Sequence, residues 1–125
     1  MTGKIDKNSF IFKKIRIENY DFPVDYFDLI NAQFILPFVE KNKISDVVIN
    51  IKKSLRLGGL FVGQFFGVKD SWNGRVGVCT HTRREIKFFL SDLNIIYFQE
   101  EEKDGQTAMN EKKHWHIFHF IARKY

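Results

Sequence analysis

The sequence predicts an α/β protein: a sheet built largely from parallel strands, covered by helices and ended by an antiparallel strand pair. Three observations carry this. The apolar residues Ile44, Val47, Val48, Ile51 and Leu55 recur at spacings of three and four, the helical period. Apolar runs stand on both sides of them, Tyr26 to Ala32 before and Leu60 to Phe66 after, and strand, helix, strand is the pattern of a parallel crossover. The last two apolar runs, Asn94 to Gln99 and His114 to Ala122, are joined by a polar stretch from Glu100 to Lys113. That connection has no apolar helical face with which to cover a sheet, so the pair is expected to be antiparallel.

Taken in order, the elements begin with an extended segment over Phe10 to Ile17, where Phe10, Phe12, Ile15 and Ile17 alternate with polar residues apart from a slip at Lys13-Lys14. Pro23 ends it. Tyr26 to Ala32 has closely spaced apolar residues, as in a strand covered on both faces. The helix between Val39 and Leu57 has Asn42 or Ser45 as a candidate cap, and Gly58-Gly59 is placed to end it in a left-handed turn that glycine enters cheaply. Leu60 to Phe66 follows as a strand. Beyond a polar loop from Gly67 to His81, Thr82 stands three residues before Glu85, the spacing of a reciprocal capping box. Ile86, Phe89, Leu90 and Leu93 give that second helix one apolar face. The predicted order is β-β-α-β-α-β-β. Phe61, Phe65, Phe89 and Phe118 are expected in the core.

The chain has 125 residues, 14 of them phenylalanine, and is 44% hydrophobic and 28% charged. This suits one folded domain spanning 1–125, its core filled by a few large rings. Lys and Arg number 20 against 15 Asp and Glu, a net charge of +5. The lysines are scattered in pairs and interrupted by Glu100-Glu101-Glu102, so no nucleic-acid surface is expected. No uncharged stretch approaches the roughly 20 apolar residues of a membrane span. The charged start, Met1 to Lys7, has no apolar run behind it of the kind a secretory signal carries. The lone Cys79 excludes an internal disulfide and agrees with a cytoplasmic setting. His114 and His116 share one strand face and His119 takes the other, which supplies too few converging ligands for zinc. Cys79 and His81 lack a third group to orient the imidazole, so thiol catalysis is not expected either.

Several stretches together carry a resemblance. They are Ile17-Glu18-Asn19-Tyr20-Asp21-Phe22-Pro23, Tyr26 to Phe34 with Leu36-Pro37-Phe38, and Leu55 to Gly67 through Leu57-Gly58-Gly59-Leu60, followed by the terminal strand pair. In these the chain resembles the class I S-adenosylmethionine-dependent methyltransferases, specifically the small tellurite-resistance type and its relatives. The resemblance implies a Rossmann-like methyltransferase sheet, S-adenosylmethionine as cofactor and methyl transfer to a small, unidentified acceptor. It also implies roles. Glu18 matches the acidic position that receives the adenine amino group, and Asn31 and Ala32 match positions beneath the transferable methyl group. Gln33, Gln64, Phe65, Phe66, Asp70 and Trp72 fall on the substrate side. From the residues alone, Glu18 reads equally as a solvated carboxylate, Asn31 and Gln33 as strand-end hydrogen-bonding groups, and the phenylalanines as core.

The family's Gly-rich turn has no counterpart, since no GxGxG occurs in the chain. The resemblance therefore implies a carboxyl-terminal portion of such a fold, lacking its first two strands and their helices. Two accounts follow: a methyltransferase-like protein, or a non-catalytic remnant of the fold that serves as an interaction module. Without those first strands, the strand at Tyr26 to Asn31 would lie on an open apolar edge, which implies a homodimer formed by strand pairing or arm exchange.

Overall fold

The computed structural model describes residues 16–125. Its elements are β1 (Phe27–Ala32), α1 (Ile44–Ser54), β2 (Leu55–Gly67), the short β3 (Thr80–His81), α2 (Arg83–Phe89), β4 (Asn94–Gln106) and β5 (Lys112–Arg123). Short 3-10 turns lie at Ile17–Asn19 and Leu36–Phe38. The sheet order is β1-β2-β5-β4, with β3 beside the end of β2. β1 and β3 run parallel to β2, and β5 runs antiparallel to both β2 and β4. The predicted crossover β1-α1-β2 and the terminal antiparallel pair are both present.

Register decides the faces. Phe61 stands opposite Ala122 and Phe65 opposite Phe118, and these residues share one buried cluster with Val47, Val48 and Ile51 of α1 and with Ile86 and Leu90 after it. Both helices thus cover the same face of the sheet. Phe61, Phe65 and Phe118 are buried as expected, while Phe89 is half-buried, stacked on Phe65 at 5.8 Å. Gly63 lies beneath the Phe120 ring, where a Cβ would come within 3.2 Å of it. The opposite face carries Val62, Gln64 and Phe66 of β2 and Ile121 and Ile117 opposite them.

Three expectations are corrected, and a fourth falls almost wholly outside the described residues. The strand expected over Phe10 to Ile17 lies outside the described residues except for its end, where Ile17 opens a 3-10 turn. α1 starts after Lys43 with no side-chain cap, so neither Asn42 nor Ser45 serves, and it ends at Ser54. Gly58-Gly59 then falls inside β2, where Gly58 is left-handed (φ 84°) and donates its N–H to Lys124 O at 2.6 Å, while Gly59 O accepts the Lys124 N–H at 2.9 Å. The last helix carbonyls are satisfied instead from two sides: Lys124 Nζ donates to Lys52 O at 2.7 Å and to Leu55 O just beyond the helix at 2.8 Å, and the Asp25 and Tyr26 N–H groups donate to Lys53 O and Ser54 O at 3.0 and 2.8 Å. Finally, the stretch from Glu100 to Lys113 is not a loop: β4 continues to Gln106, and the turn is confined to Thr107 to Glu111 around left-handed Asn110.

Charge pairing explains the longer strand. Glu100 meets His116 at 2.7 Å, Glu101 meets His119 at 2.9 Å and Glu102 meets His114 at 2.8 Å, each pair reaching diagonally across β4 and β5. The acidic run and the histidines complete one another. Asp104 takes the other nitrogen of His114 at 2.8 Å.

Candidate functional site at the carboxyl ends of β1 and β2

In open α/β sheets ligands bind outside the carboxyl ends of parallel strands. Here that rim consists of the ends of β1 and β2 and the segments that leave them, Gln33 to Phe38 and Val68 to Cys79. A backbone hydrogen bond from Cys79 N–H to Pro37 O (2.7 Å) ties the two segments together. Lys41 Nζ donates to Thr80 O at 2.7 Å, and Thr80 Oγ1 to Asn73 Oδ1 at 2.7 Å, which fixes the far side of the second segment.

The sequence-derived residues divide into exposed and committed groups. Asn31 and Gln33 are exposed at the end of β1, on either side of buried Ala32. Glu18 lies in the 3-10 turn, 3.0 Å from Arg16, and its carboxyl is held below the usual carboxylate range by its own backbone N–H and by Arg16. The Lys43 ammonium at the start of α1 adds to this lowering, and the Glu18 side chain is only 6% exposed. Gln64 is buried and its Oε1 accepts the Phe34 N–H at 2.7 Å. Phe65 lies in the core on the helix-covered face.

Asp70 and Phe66 belong to a second buried cluster. Asp70 pairs with Lys113, and both side chains are fully buried. The carboxylate also accepts the N–H groups of Trp72 and His116, each at 3.0 Å. The Lys113 ammonium lies 5.0, 4.3 and 4.2 Å from the ring centres of Phe66, Trp72 and Trp115, so its charge is enclosed by one carboxylate and three aromatic faces. His116 Nδ1 accepts the Lys69 N–H at 3.1 Å, which leaves Nε2 to carry the proton toward Glu100. The ring lies so close to Gly67 that a Cβ there would fall 2.1 Å from Nδ1. Together these contacts anchor the loop after β2 to β5; of this cluster Trp72 and Trp115 are half-buried, and Trp72 lies in the segment that leaves β2 at the rim.

Three rim residues have no functional role in the sequence reading: Phe34 and Phe38, which lie in the stretches that carry the resemblance, and Arg75. Phe34 is left-handed (φ 52°) and 41% exposed. Phe38 is also 41% exposed and meets Phe66 edge-on at 5.7 Å and Trp72 at 6.5 Å. The Arg75 guanidinium lies 4.8 Å over the Trp72 ring. Composition alone gives no signal for these, because an exposed and a buried phenylalanine look the same in a sequence. Cys79 Sγ and His81 Nε2 are 3.6 Å apart and both buried, and burial, with the Lys41 ammonium assisting, lowers His81 to about 4. That pair is closed off from the rim surface. Among the described residues no cluster of three or more potential metal ligands occurs, and no helix is long and apolar enough to cross a membrane.

The sheet order, the crossover and the terminal strand pair define a class: this is the fold of the S-adenosylmethionine-dependent methyltransferases. Solved structures establish it. An S-adenosylmethionine-dependent methyltransferase from Methanosarcina mazei matches 90% of this chain with a TM-score of 0.69 at 20% identity. TehB from Haemophilus influenzae matches 92% with a TM-score of 0.70 at 15% identity. The N-methyltransferase NodS from Bradyrhizobium japonicum, solved with S-adenosyl-L-homocysteine, matches 86% with a TM-score of 0.56 at 21% identity. The chain spans 66%, 40% and 53% of these three proteins. No family model matches the chain, and no curated protein matches it in sequence.

Proposed function

We propose that the protein is an S-adenosylmethionine-dependent methyltransferase-like protein in which the carboxyl ends of β1 and β2 bring a small acceptor to the methyl donor. The observation that carries this reading is the methyltransferase fold with its exposed rim at that position. The ionised Glu18 carboxylate suits an amino-group donor such as adenine, and Asn31 offers an exposed amide at the end of β1. When bound, S-adenosylmethionine supplies an electrophilic methyl group on a sulfonium. What the rim contributes is position, the dominant requirement for in-line transfer. Asn31 and Gln33 orient polar groups, and Phe34, Phe38 and Trp72 exclude water. The sequence has no Gly-rich turn to hold the methionine portion, so these residues fit only part of the cofactor and weak binding is expected.

Titration with S-adenosylhomocysteine tests this. Affinity near 1 mM, about 4 kcal/mol of binding free energy, is expected, with amide shifts at Glu18 and Asn31 to Phe34 that are lost in Glu18→Ala. Shifts centred on another surface, or none at millimolar ligand, would overturn the reading. Micromolar binding lost on Glu18→Ala would show that the partial-fit argument is wrong and that the chain completes its own pocket.

A separate observation supports self-association. Among the described residues β1 pairs only with β2, and Phe27, Leu29 and Ile30 along it are half-buried apolar residues. We propose that two copies pair through β1 as a homodimer, in the cytoplasm.

A further inference from the structure

Phe34 presents an imbalance. A bulky residue at φ 52° is strained, and strain of this kind persists only where surrounding structure enforces it. The enforcing contact is the buried Gln64 side chain, which accepts the Phe34 N–H at 2.7 Å, while Ala32 O accepts the Ile35 N–H at 3.2 Å. Yet the residue so held is still 41% exposed, so a large part of its apolar surface faces water. Phe38, equally exposed, stands against Phe66, two residues beyond Gln64 on the same face of β2. Next along the rim come Trp72 and Arg75, stacked at 4.8 Å. Among the described residues no carboxylate lies within ion-pair distance of Arg75, as is also true of Arg84 and Arg123, and Arg75 is the one of these three stacked on an aromatic ring of the rim.

From these features we propose that Phe34, Phe38, Trp72 and Arg75 form the acceptor site of the methyl-transfer reading above, and that the acceptor is a planar aromatic molecule bearing an anionic group. The two phenylalanine rings supply apolar faces, Trp72 a third, and the Arg75 guanidinium the countercharge at one end. Gln64 is a positioning residue that acts through Phe34. The proposal rests on the methyltransferase reading for its chemistry, but its binding test needs no cofactor.

The probe is 2-naphthoate, compared by amide chemical shifts with neutral 2-naphthamide and with the non-planar decahydro-2-naphthoate. The naphthoate is expected to shift the amides of Phe34 to Phe38 and Trp72 to Arg75 and to bind at least tenfold more tightly than either comparison ligand. Arg75→Gln is expected to remove the advantage over the naphthamide. Phe34→Gly should weaken naphthoate binding about tenfold while raising the thermal midpoint, since glycine relieves the left-handed strain; a merely structural phenylalanine would lower the midpoint and leave binding intact. Gln64→Met should weaken binding, and Gln64→Glu, which keeps an oxygen for the Phe34 N–H, should retain it. Equal affinity for all three ligands, shifts elsewhere, or naphthoate binding that survives Phe34→Gly would overturn the proposal. A failed titration with S-adenosylhomocysteine alongside normal naphthoate binding would instead count against the methyltransferase reading alone.

Discussion

The resemblance set Asp70 on the substrate side, but its buried partner was not legible in the sequence, because Lys113 is 43 positions away and only the fold joins them. The same holds for Gln64, whose amide serves a backbone N–H 30 residues upstream. A buried pair of this kind is costly to break from one side. Asp70→Asn leaves an ammonium enclosed by aromatic rings without a countercharge, and a loss of about 3–5 kcal/mol is expected. Lys113→Met leaves a carboxylate that still accepts two N–H groups, so a smaller loss is expected. The double variant should be more stable than the sum of the singles requires, by clearly more than the roughly 0.5 kcal/mol scatter of independent sites. Urea unfolding of the four proteins measures the cycle, and additive losses would dissolve the pairing. His81 gives a second residue-scale outcome. Its ring is buried edge-on against Phe65 and Phe89, and its pKa falls from 6.5 to about 4. The unfolded chain therefore takes up the proton first as pH drops, so stability is full above 6.5 and declines between 6.5 and 4, by about 3 kcal/mol in all. Unfolding at pH 7 and pH 5 should show the decline, and His81→Phe should remove much of it.

At the scale of elements, those with purely local signals were readable. The capping box of α2 forms as the Thr82 to Glu85 spacing predicts: Glu85 N–H donates to Thr82 Oγ1 at 3.1 Å and Thr82 N–H to Glu85 Oε1 at 2.8 Å. Thr82→Ala is expected to cost about 1 kcal/mol and Thr82→Ser much less, readable in the midpoint of chemical denaturation; equal losses would mean that the cap contributes nothing. α1 was placed correctly by its apolar period but its ends were not, because its carboxyl-terminal carbonyls are satisfied by groups distant in sequence, the Asp25 and Tyr26 N–H groups before β1 and the Lys124 ammonium near the far end. The β4 and β5 pair was read too short for a related reason. Carboxylates look like loop residues until the histidines that receive them are found on the neighbouring strand.

For the whole molecule, topology was the most legible feature, since the crossover and the antiparallel ending follow from the order and type of elements rather than from any one contact. The covering of the sheet was not legible, because it depends on which side chains alternate onto which face. β1 pairing between copies is best tested at this scale. Antiparallel pairing centred on Ile30 keeps each face of one sheet continuous with the same face of the other, because directly opposite residues share a face. Sedimentation at micromolar concentration is expected to give a dimer, and Leu29→Lys, which sets a charge on that edge, a folded monomer. A monomeric parent protein, or a dimeric Leu29→Lys variant, would end the idea.

The two borders of the sheet differ in kind. β1 offers an apolar border, whereas the outer strand β4 displays Glu100, Glu102, Lys103 and Asp104 to solvent along its length. Joining two copies at β1 consumes both apolar borders and leaves an ionic one at each outer limit. The proposed assembly would therefore stop at two: the outer edge of β4 has no strand partner among the described residues, but its row of charges disfavours the approach of a like-charged copy.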